Sequence, residues 1–267
     1  MSDLVWIDGT LRPARDAGID PADRGFLLGD GLFETMRVTN GTIPHRTRHF
    51  HRLCDSARIL RFPTLDMTAL AQGLDTVITA NAIVNGSARL TLTRGIGPRG
   101  LMPPTTPRPT VLITTQPSPA RQPGAARLHV SRQIRDGASP LSRLKTLNYL
   151  PGILAHMEAA DIGADDGLLC NAAGRIASAS AASLIVLTPE GLVTPALTEG
   201  AMAGISRACL VESGLVREGH IEPDFPQVSA AWIVNALTLR PVGQIGGRSL
   251  SLIPAGTERL RACVHPS

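Results

Sequence analysis

The stretch 117-PSPARQPG-124 constrains this chain most, because Pro117, Pro119 and Pro123 each lack a backbone N–H and fix φ. No strand or helix continues through such a segment, and it shows no apolar periodicity. Strand-like runs flank it, 110-TVLITTQ-116 and 126-ARLHVSRQ-133. The expected organisation is an N-terminal α/β domain over 1–116, a linker over 117–124 and a second domain over 125–267. A chain of 267 residues can bury one large core or two smaller ones, and 43% hydrophobic content suits a globular enzyme.

Before the linker, 4-LVWIDG-9 and 11-LRPARD-16 read as a hairpin around Asp8-Gly9, and Pro21-Ala22-Asp23 marks a further turn. In 24-RGFLLGDGLFETMRV-38 a Gly29-Asp30-Gly31 turn precedes a period-2 strand pattern. Thr35 and Arg37 then share a face, either as the wet side of an edge strand or as a pocket wall that holds a carboxylate. The spacing of His49, Leu53, Ala57 and Leu60 predicts a helix over 45–62. His45 and His49 stand four apart, but no third ligand is near in sequence, so no metal site is expected. A second helix is expected over 67–82, then strands over 87–95 and 110–116. Between those strands, 94-RGIGPRG-100 lacks the GK[ST] ending of a phosphate loop and reads as a flexible loop that offers Arg94 or Arg99 to an anion.

After the linker the pattern predicts a strand over 126–133, a helix over 147–160, a strand over 166–171 and two short strands in 174-GRIASASAASLIVLT-188. The run 191-GLVTPAL-197 leads to 200-GAMAGISRACLVESG-214, a glycine-rich start to a helix. A helix N-terminus is a ready phosphate site. The alternative is that Gly204 only permits a turn and Ser206 only caps the helix.

Lys145, in 142-SRLKTLNYLPG-152, is the only lysine among 26 Lys+Arg residues. Either side chain serves as a solvated cation, but guanidinium stays protonated and cannot act as an amine nucleophile. An arginine-biased composition leaves one lysine by chance as readily as by need; the apolar neighbours Leu141, Leu144, Leu150, Ile153 and Leu154 favour a partly desolvated amine suited to covalent chemistry. The remaining arginines are scattered and the net charge is +4, which argues against nucleic-acid binding and suits a small anionic substrate. Cys54, Cys170, Cys209 and Cys263 form no CxxC pair, and no signal peptide or 18-residue apolar run appears, so a reducing cytoplasm and no membrane role are expected.

With RGFLLGDGLFETMRV, HRLCDSARILRFP, KTLNYL, DDGLLCNAAGRI and GISR, the chain resembles the fold-type IV enzymes dependent on pyridoxal 5'-phosphate, the class IV aminotransferase family, from about Trp6 to Val242. The resemblance implies a two-domain α/β (α+β) fold like that of the D-amino-acid aminotransferases, pyridoxal 5'-phosphate as cofactor, and a homodimer. It makes Lys145 the Schiff-base lysine, Arg52 the arginine on the cofactor phosphate, Gly204, Ile205 and Ser206 the turn that cradles the phosphate, and Tyr149 a residue near the ring. Within the family, 93-TRGIGPRG-100 and 232-WIVNALTLRPV-242 are most similar to aminodeoxychorismate lyases, which form 4-aminobenzoate and pyruvate for folate synthesis. Asn235 and Ala236 would then line the substrate, Arg37, Arg94 or Arg99 would hold its carboxylates, and Lys145 or Thr35 would supply a proton. An aminotransferase acting on branched-chain or D-amino acids is the alternative.

One departure stands out. Family members typically carry Glu where Ser178 aligns and Asn where Ser183 aligns. That Glu keeps the pyridine nitrogen protonated, whereas a hydroxyl offers only a neutral hydrogen bond. Elimination can pass charge on to a leaving group, so Ser178 leans towards a lyase; it is also compatible with a member of weak or no catalysis.

Overall fold

The computed structural model of the protein describes residues 3–119 and 124–265, so the expected linker lies partly outside the described residues, at 120–123. The chain divides into two compact units, Met1–Ala120 with Lys145–Asn148, and Arg121–Leu144 with Tyr149–Ser267.

The first unit contains β1 (Leu4–Ile7), β2 (Thr10–Pro13), α1 (Arg24–Leu28), β3 (Gly31–Val38), α2 (Arg46–Ile59), α3 (Met67–Ala80), β4 (Gly86–Thr93) and β5 (Thr110–Pro117). Its sheet is antiparallel in the order β2-β1-β5-β4-β3, which makes β3 an edge strand. The alternation read from β3 holds: Met36 and Val38 are buried, while Thr35 and Arg37 are half-buried. Helix α3 starts where the Asp66 carboxylate accepts the Ala69 N–H at 3.0 Å, and it buries Leu70, Leu74, Val77 and Ile78 as one stripe. It lies so close to the sheet that a Cβ on Gly73 would stand 2.9 Å from the Trp6 ring. The short helix α1 was not expected. Asp23 accepts the Gly25 N–H at 2.7 Å to start it, and Gly29, at φ 67°, ends it in the left-handed region.

Arg94 requires a correction. Rather than offering a free cation from a flexible loop, its guanidinium is buried, donating to both Asp30 oxygens at 3.0 Å and to the carbonyls of Leu60 and Arg61 at 2.9 and 3.1 Å. It also stacks over Phe62 at 4.0 Å. Arg24, likewise buried, donates to Asp30 at 2.9 Å and to the carbonyls of Gly100 and Leu101 at 3.0 and 2.8 Å, which anchors the loop. Asp30 draws both arginines inward because two buried cations need a compensating charge. Arg99 remains exposed.

The second unit contains β6 (Ala126–Ile134), α4 (Leu150–Asp161), β7 (Asp166–Cys170), β8 (Ile176–Ala179), β9 (Ser183–Thr188), β10 (Gly191–Pro195), α5 (Ile205–Glu212), β11 (Arg217–Gly219), β12 (Ala230–Val234), β13 (Leu239–Ile245), β14 (Arg248–Ser249) and α6 (Pro254–Val264). The sheet runs β11-β10-β9-β12-β13-β6-β7-β8, with β14 on β13. One core cluster gathers Leu128, Leu168, Ile176, Leu184 and Ile233; a second gathers Ile185, Trp232, Leu210 and Leu260, with the Trp232 indole donating to Thr257 at 2.8 Å. Helix α4 begins at Leu150, three residues later than expected. The backbone of 145–147 is already paired with β3, and Pro151, having no N–H to give, fits only a first turn.

Burial works to raise the Asp30 carboxyl, but hydrogen bonds and charge from Arg94 and Arg24 outweigh it and hold the group below its usual range. Stability from this cluster is therefore fully present above about pH 4 and is lost as pH falls through the folded value. Asp30→Asn should cost roughly 3–5 kcal/mol at pH 7, as breaking a buried pair does. Its deficit relative to wild type should shrink at pH 3, as read from urea midpoints at the two pH values.

Candidate functional site

Lys145 owes its position to backbone pairing. The Phe33 N–H donates to the Lys145 carbonyl at 2.9 Å and the Leu147 N–H to the Gly31 carbonyl at 3.1 Å, with an antiparallel bridge between Leu32 and Thr146. The segment thus extends the first unit's sheet beyond β3, and its register puts the Lys145 side chain on the face of Phe33, Thr35 and Arg37. The Lys145 Nζ stands 4.2 Å from the centre of the Phe33 ring. The amine is half-buried, with the Thr35 hydroxyl one alternate position further along β3. Arg37, also half-buried, donates through Nε to Thr39 at 3.3 Å.

On the opposite face of β3, Glu34 is buried with His49 and Arg52 of α2. Arg52 makes a two-pronged contact, Nε to Oε1 at 2.8 Å and Nη2 to Oε2 at 2.5 Å, while His49 Nδ1 lies 2.7 Å from Oε2. Burial pushes the Glu34 carboxyl up, but the hydrogen bonds and charges of His49 and Arg52 prevail and lower it, so Glu34 is ionised. An ionised carboxylate only accepts, which makes His49 Nδ1 the donor. Neither Glu34 nor His49 was singled out for the site from sequence. The available signal was an acid at a core-facing position of an alternating strand, level with a histidine on the apolar stripe of a helix.

In the second unit, α5 begins at Gly204 with no side chain capping it. Ser206 does not cap the helix; its hydroxyl donates to the Asn235 carbonyl at 2.9 Å. The Asn235 side-chain oxygen accepts the N–H groups of Leu237 and Thr238 at 2.9 and 3.0 Å, closing the turn that carries Ala236. Ser183 pairs with Val234 across β9 and β12, and a Cβ on Gly204 would lie 3.4 Å from its hydroxyl. Ser178 sits on β8 with 6% exposure, and its buried hydroxyl has no hydrogen-bond partner among the described residues. Tyr149 precedes α4 as its half-buried N-cap residue.

Each unit, taken by itself, offers groups of the kinds that pyridoxal 5'-phosphate requires. An unpaired buried hydroxyl such as that of Ser178 costs about 1–3 kcal/mol unless a ligand atom satisfies it. The start of α5 offers backbone N–H groups and the positive end of a helix dipole to a phosphate. The first unit offers the Lys145 amine and, in Arg52, an oriented guanidinium.

A family model described as "Amino-transferase class IV" matches residues 31–245. A putative branched-chain-amino-acid aminotransferase of Methanocaldococcus jannaschii is 29% identical over 82% of this chain and 76% of its own. The solved 4-amino-4-deoxychorismate lyase of Pseudomonas aeruginosa is 31% identical, covers 97% of this chain and 98% of its own, and superposes with a TM-score of 0.82. A branched-chain amino acid aminotransferase of Escherichia coli shares the fold at TM-score 0.88 and 24% identity, over 98% of this chain and 93% of its own.

Arg52→Ala should weaken binding of pyridoxal 5'-phosphate by roughly 10–100-fold, the loss expected for one charge-assisted pair of about 1.5–3 kcal/mol. Titration of cofactor into the cofactor-free protein measures it, and unchanged affinity would assign the phosphate to another cation. Glu34→Gln keeps Arg52 and should produce a smaller loss by the same titration.

Proposed function

The chain belongs to the class IV aminotransferases, the fold-type IV enzymes that use pyridoxal 5'-phosphate, and from that premise we propose that it is a lyase. Its substrate is 4-amino-4-deoxychorismate, its products are pyruvate and 4-aminobenzoate on the way to folate, and it works in the cytoplasm as a homodimer. The observation that carries this reading is the buried hydroxyl of Ser178, without a partner among the described residues, a neutral group where members of the family typically hold a carboxylate.

When bound, pyridoxal 5'-phosphate supplies an electron sink for the bond that breaks at the substrate carbon. Ser178 gives the ring a hydrogen bond without charge, so the sink is shallow. That is sufficient where electrons move on to a leaving group and the product gains aromaticity. Lys145 Nζ, on the sheet face with Thr35, takes the proton from the substrate ring carbon. Lys145 or the Thr35 hydroxyl then gives a proton to the departing enolpyruvyl carbon, which leaves as pyruvate. Arg37, half-buried on the same face, serves the substrate carboxylates, and Asn235 shapes the turn where Ala236 meets the substrate.

The similarity to the Methanocaldococcus jannaschii protein supports a second reading, an aminotransferase acting on branched-chain or D-amino acids. Assaying pyruvate release from 4-amino-4-deoxychorismate against amino-group transfer separates the two. Rapid transfer without pyruvate release overturns the lyase.

Lys145→Ala and Lys145→Arg should both lose turnover and the visible band of the lysine-linked cofactor, at about 410–420 nm, since neither side chain forms the imine. Activity in the arginine variant would remove Lys145 from the chemistry. Ser178→Glu should raise transamination of an amino-acid donor without improving pyruvate release, because a carboxylate raises the proton affinity of the ring nitrogen. If both activities stay as in wild type between about pH 6 and 9, Ser178 does not adjoin the ring.

A further inference from the structure

We propose that the second unit holds a binding site for a small organic acid, one carboxylate on an apolar body the size of benzoate, in a cavity where the start of β6 meets β13 and the end of α4. The cavity has a volume of about 470 Å³ and is lined by second-unit residues alone, among them Arg127, His129, Gln244 and Ile162. Pockets that hold small ligands have volumes of about 300–1,000 Å³, so the space suffices.

The backbone brings three donors to this space. Leu128 belongs to the core on one side of the sheet, so Arg127 and His129, which alternate with it, project to the other. Strand β13 runs parallel to β6 with Val242 beside Ala126, and a regular ladder would set Gly243 beside Arg127. The register shifts between Val242 and Gln244, so Gln244 stands beside Arg127 instead and its carboxamide joins that face. Bulges commonly re-aim a side chain in this way beside functional sites.

None of the three donors is used up within the unit. The Arg127 Nε stands 3.9 Å from an Asp165 oxygen, too far for a hydrogen bond, and its guanidinium donates none to the described residues. The His129 ring likewise has no hydrogen-bond partner among them. An imidazole carries at least one N–H whether charged or neutral, so it can donate in either state. Gln244 donates through Nε2 to the Gly247 carbonyl at 3.1 Å, which orients the amide and leaves its second N–H to a ligand.

No described residue that lines the cavity is acidic. Asp165, beside it, accepts the Arg127 backbone N–H at 2.7 Å and pairs with Arg240 at 3.7 Å. A guanidinium, an imidazole and an amide that face one space suit a carboxylate, which only accepts. Ile162, the C-cap residue of α4, is 65% exposed and gives the apolar body a wall.

The test uses the cofactor-loaded enzyme with benzoate and with inorganic phosphate. The imidazole signal of His129 in a carbon–proton correlation spectrum is identified by its loss in His129→Leu. Benzoate should shift that signal saturably. In Arg127→Met, which keeps the stem and removes the charge, the dissociation constant read from the shift should rise roughly 10–100-fold, with the visible cofactor band and the unfolding midpoint at wild-type values. The readout is local to this cavity, so benzoate bound beside Lys145 does not mimic it. A His129 signal that benzoate leaves in place, or equal dissociation constants in wild type and Arg127→Met, overturns the assignment and leaves the three groups hydrated. A signal moved by phosphate and not by benzoate overturns the choice of an organic acid.

Discussion

The pairing of residues 145–147 with the open edge of β3 is the interaction on which the candidate site depends. An unpaired strand edge exposes a row of N–H and C=O groups that must be satisfied by something. Here the Phe33 N–H and the Gly31 carbonyl are taken by Lys145 and Leu147. Four residues, Lys145–Asn148, thereby belong to the first unit although their sequence neighbours on both sides belong to the second. Pairing also removes rotational choice. Side chains in a strand alternate with period 2, so once Phe33 faces Lys145 the amine can project only to the face of Thr35 and Arg37; a slip of one residue would send Thr146 there instead.

Charge in this protein is buried in clusters, and each cluster centres on one carboxylate. Asp30 receives two arginines, Glu34 receives His49 and Arg52, and Glu199 receives Arg175 at 2.7 Å, Asn171 at 2.5 Å and His220 at 2.7 Å. A hydrogen bond from Arg175 leads the effects that lower the Glu199 carboxyl, and burial does not reverse it. Such a group is costly alone, at several kcal/mol, so each carboxylate fixes its partners in place. In the second unit the Glu199 cluster steadies the backbone just ahead of the glycine-rich start of α5. Arg135 adds to this, donating to the carbonyls of Gly200 and Ser142 at 2.5 and 2.6 Å. The residues read as cofactor ligands are thus held by neighbours with no chemistry of their own to perform.

Much of the fold could be read from periodicity. The alternation of 31–38, the apolar stripe of 67–80 and the small-residue turn of 176–188 all reflect local rules, and the elements formed where those rules pointed. The errors arose where a partner distant in sequence decides. Asp30 and Arg94 are 64 residues apart, and nothing local marks a loop arginine as buried. Lys145 pairs with a strand more than a hundred residues earlier, which converts the start of an expected helix into sheet. The sole lysine was legible for a different reason: its chemistry cannot be supplied by any arginine, whatever the fold.

In the lyase reading, the distribution of charge between ring and substrate decides which reaction is favoured. A carboxylate at the ring nitrogen would stabilise electrons on the cofactor, and Ser178 withholds that stabilisation. In the same reading Arg37, on the sheet face of Lys145, meets the substrate carboxylates and the departing enolpyruvyl group. Stabilisation offered there acts on the leaving group more than on the ring, and only interactions that strengthen as the bond breaks accelerate it. An amino acid undergoing transamination has no such leaving group and loses the deep sink that it needs. The neutral hydroxyl of Ser178 is the electrostatic feature on which that reading turns.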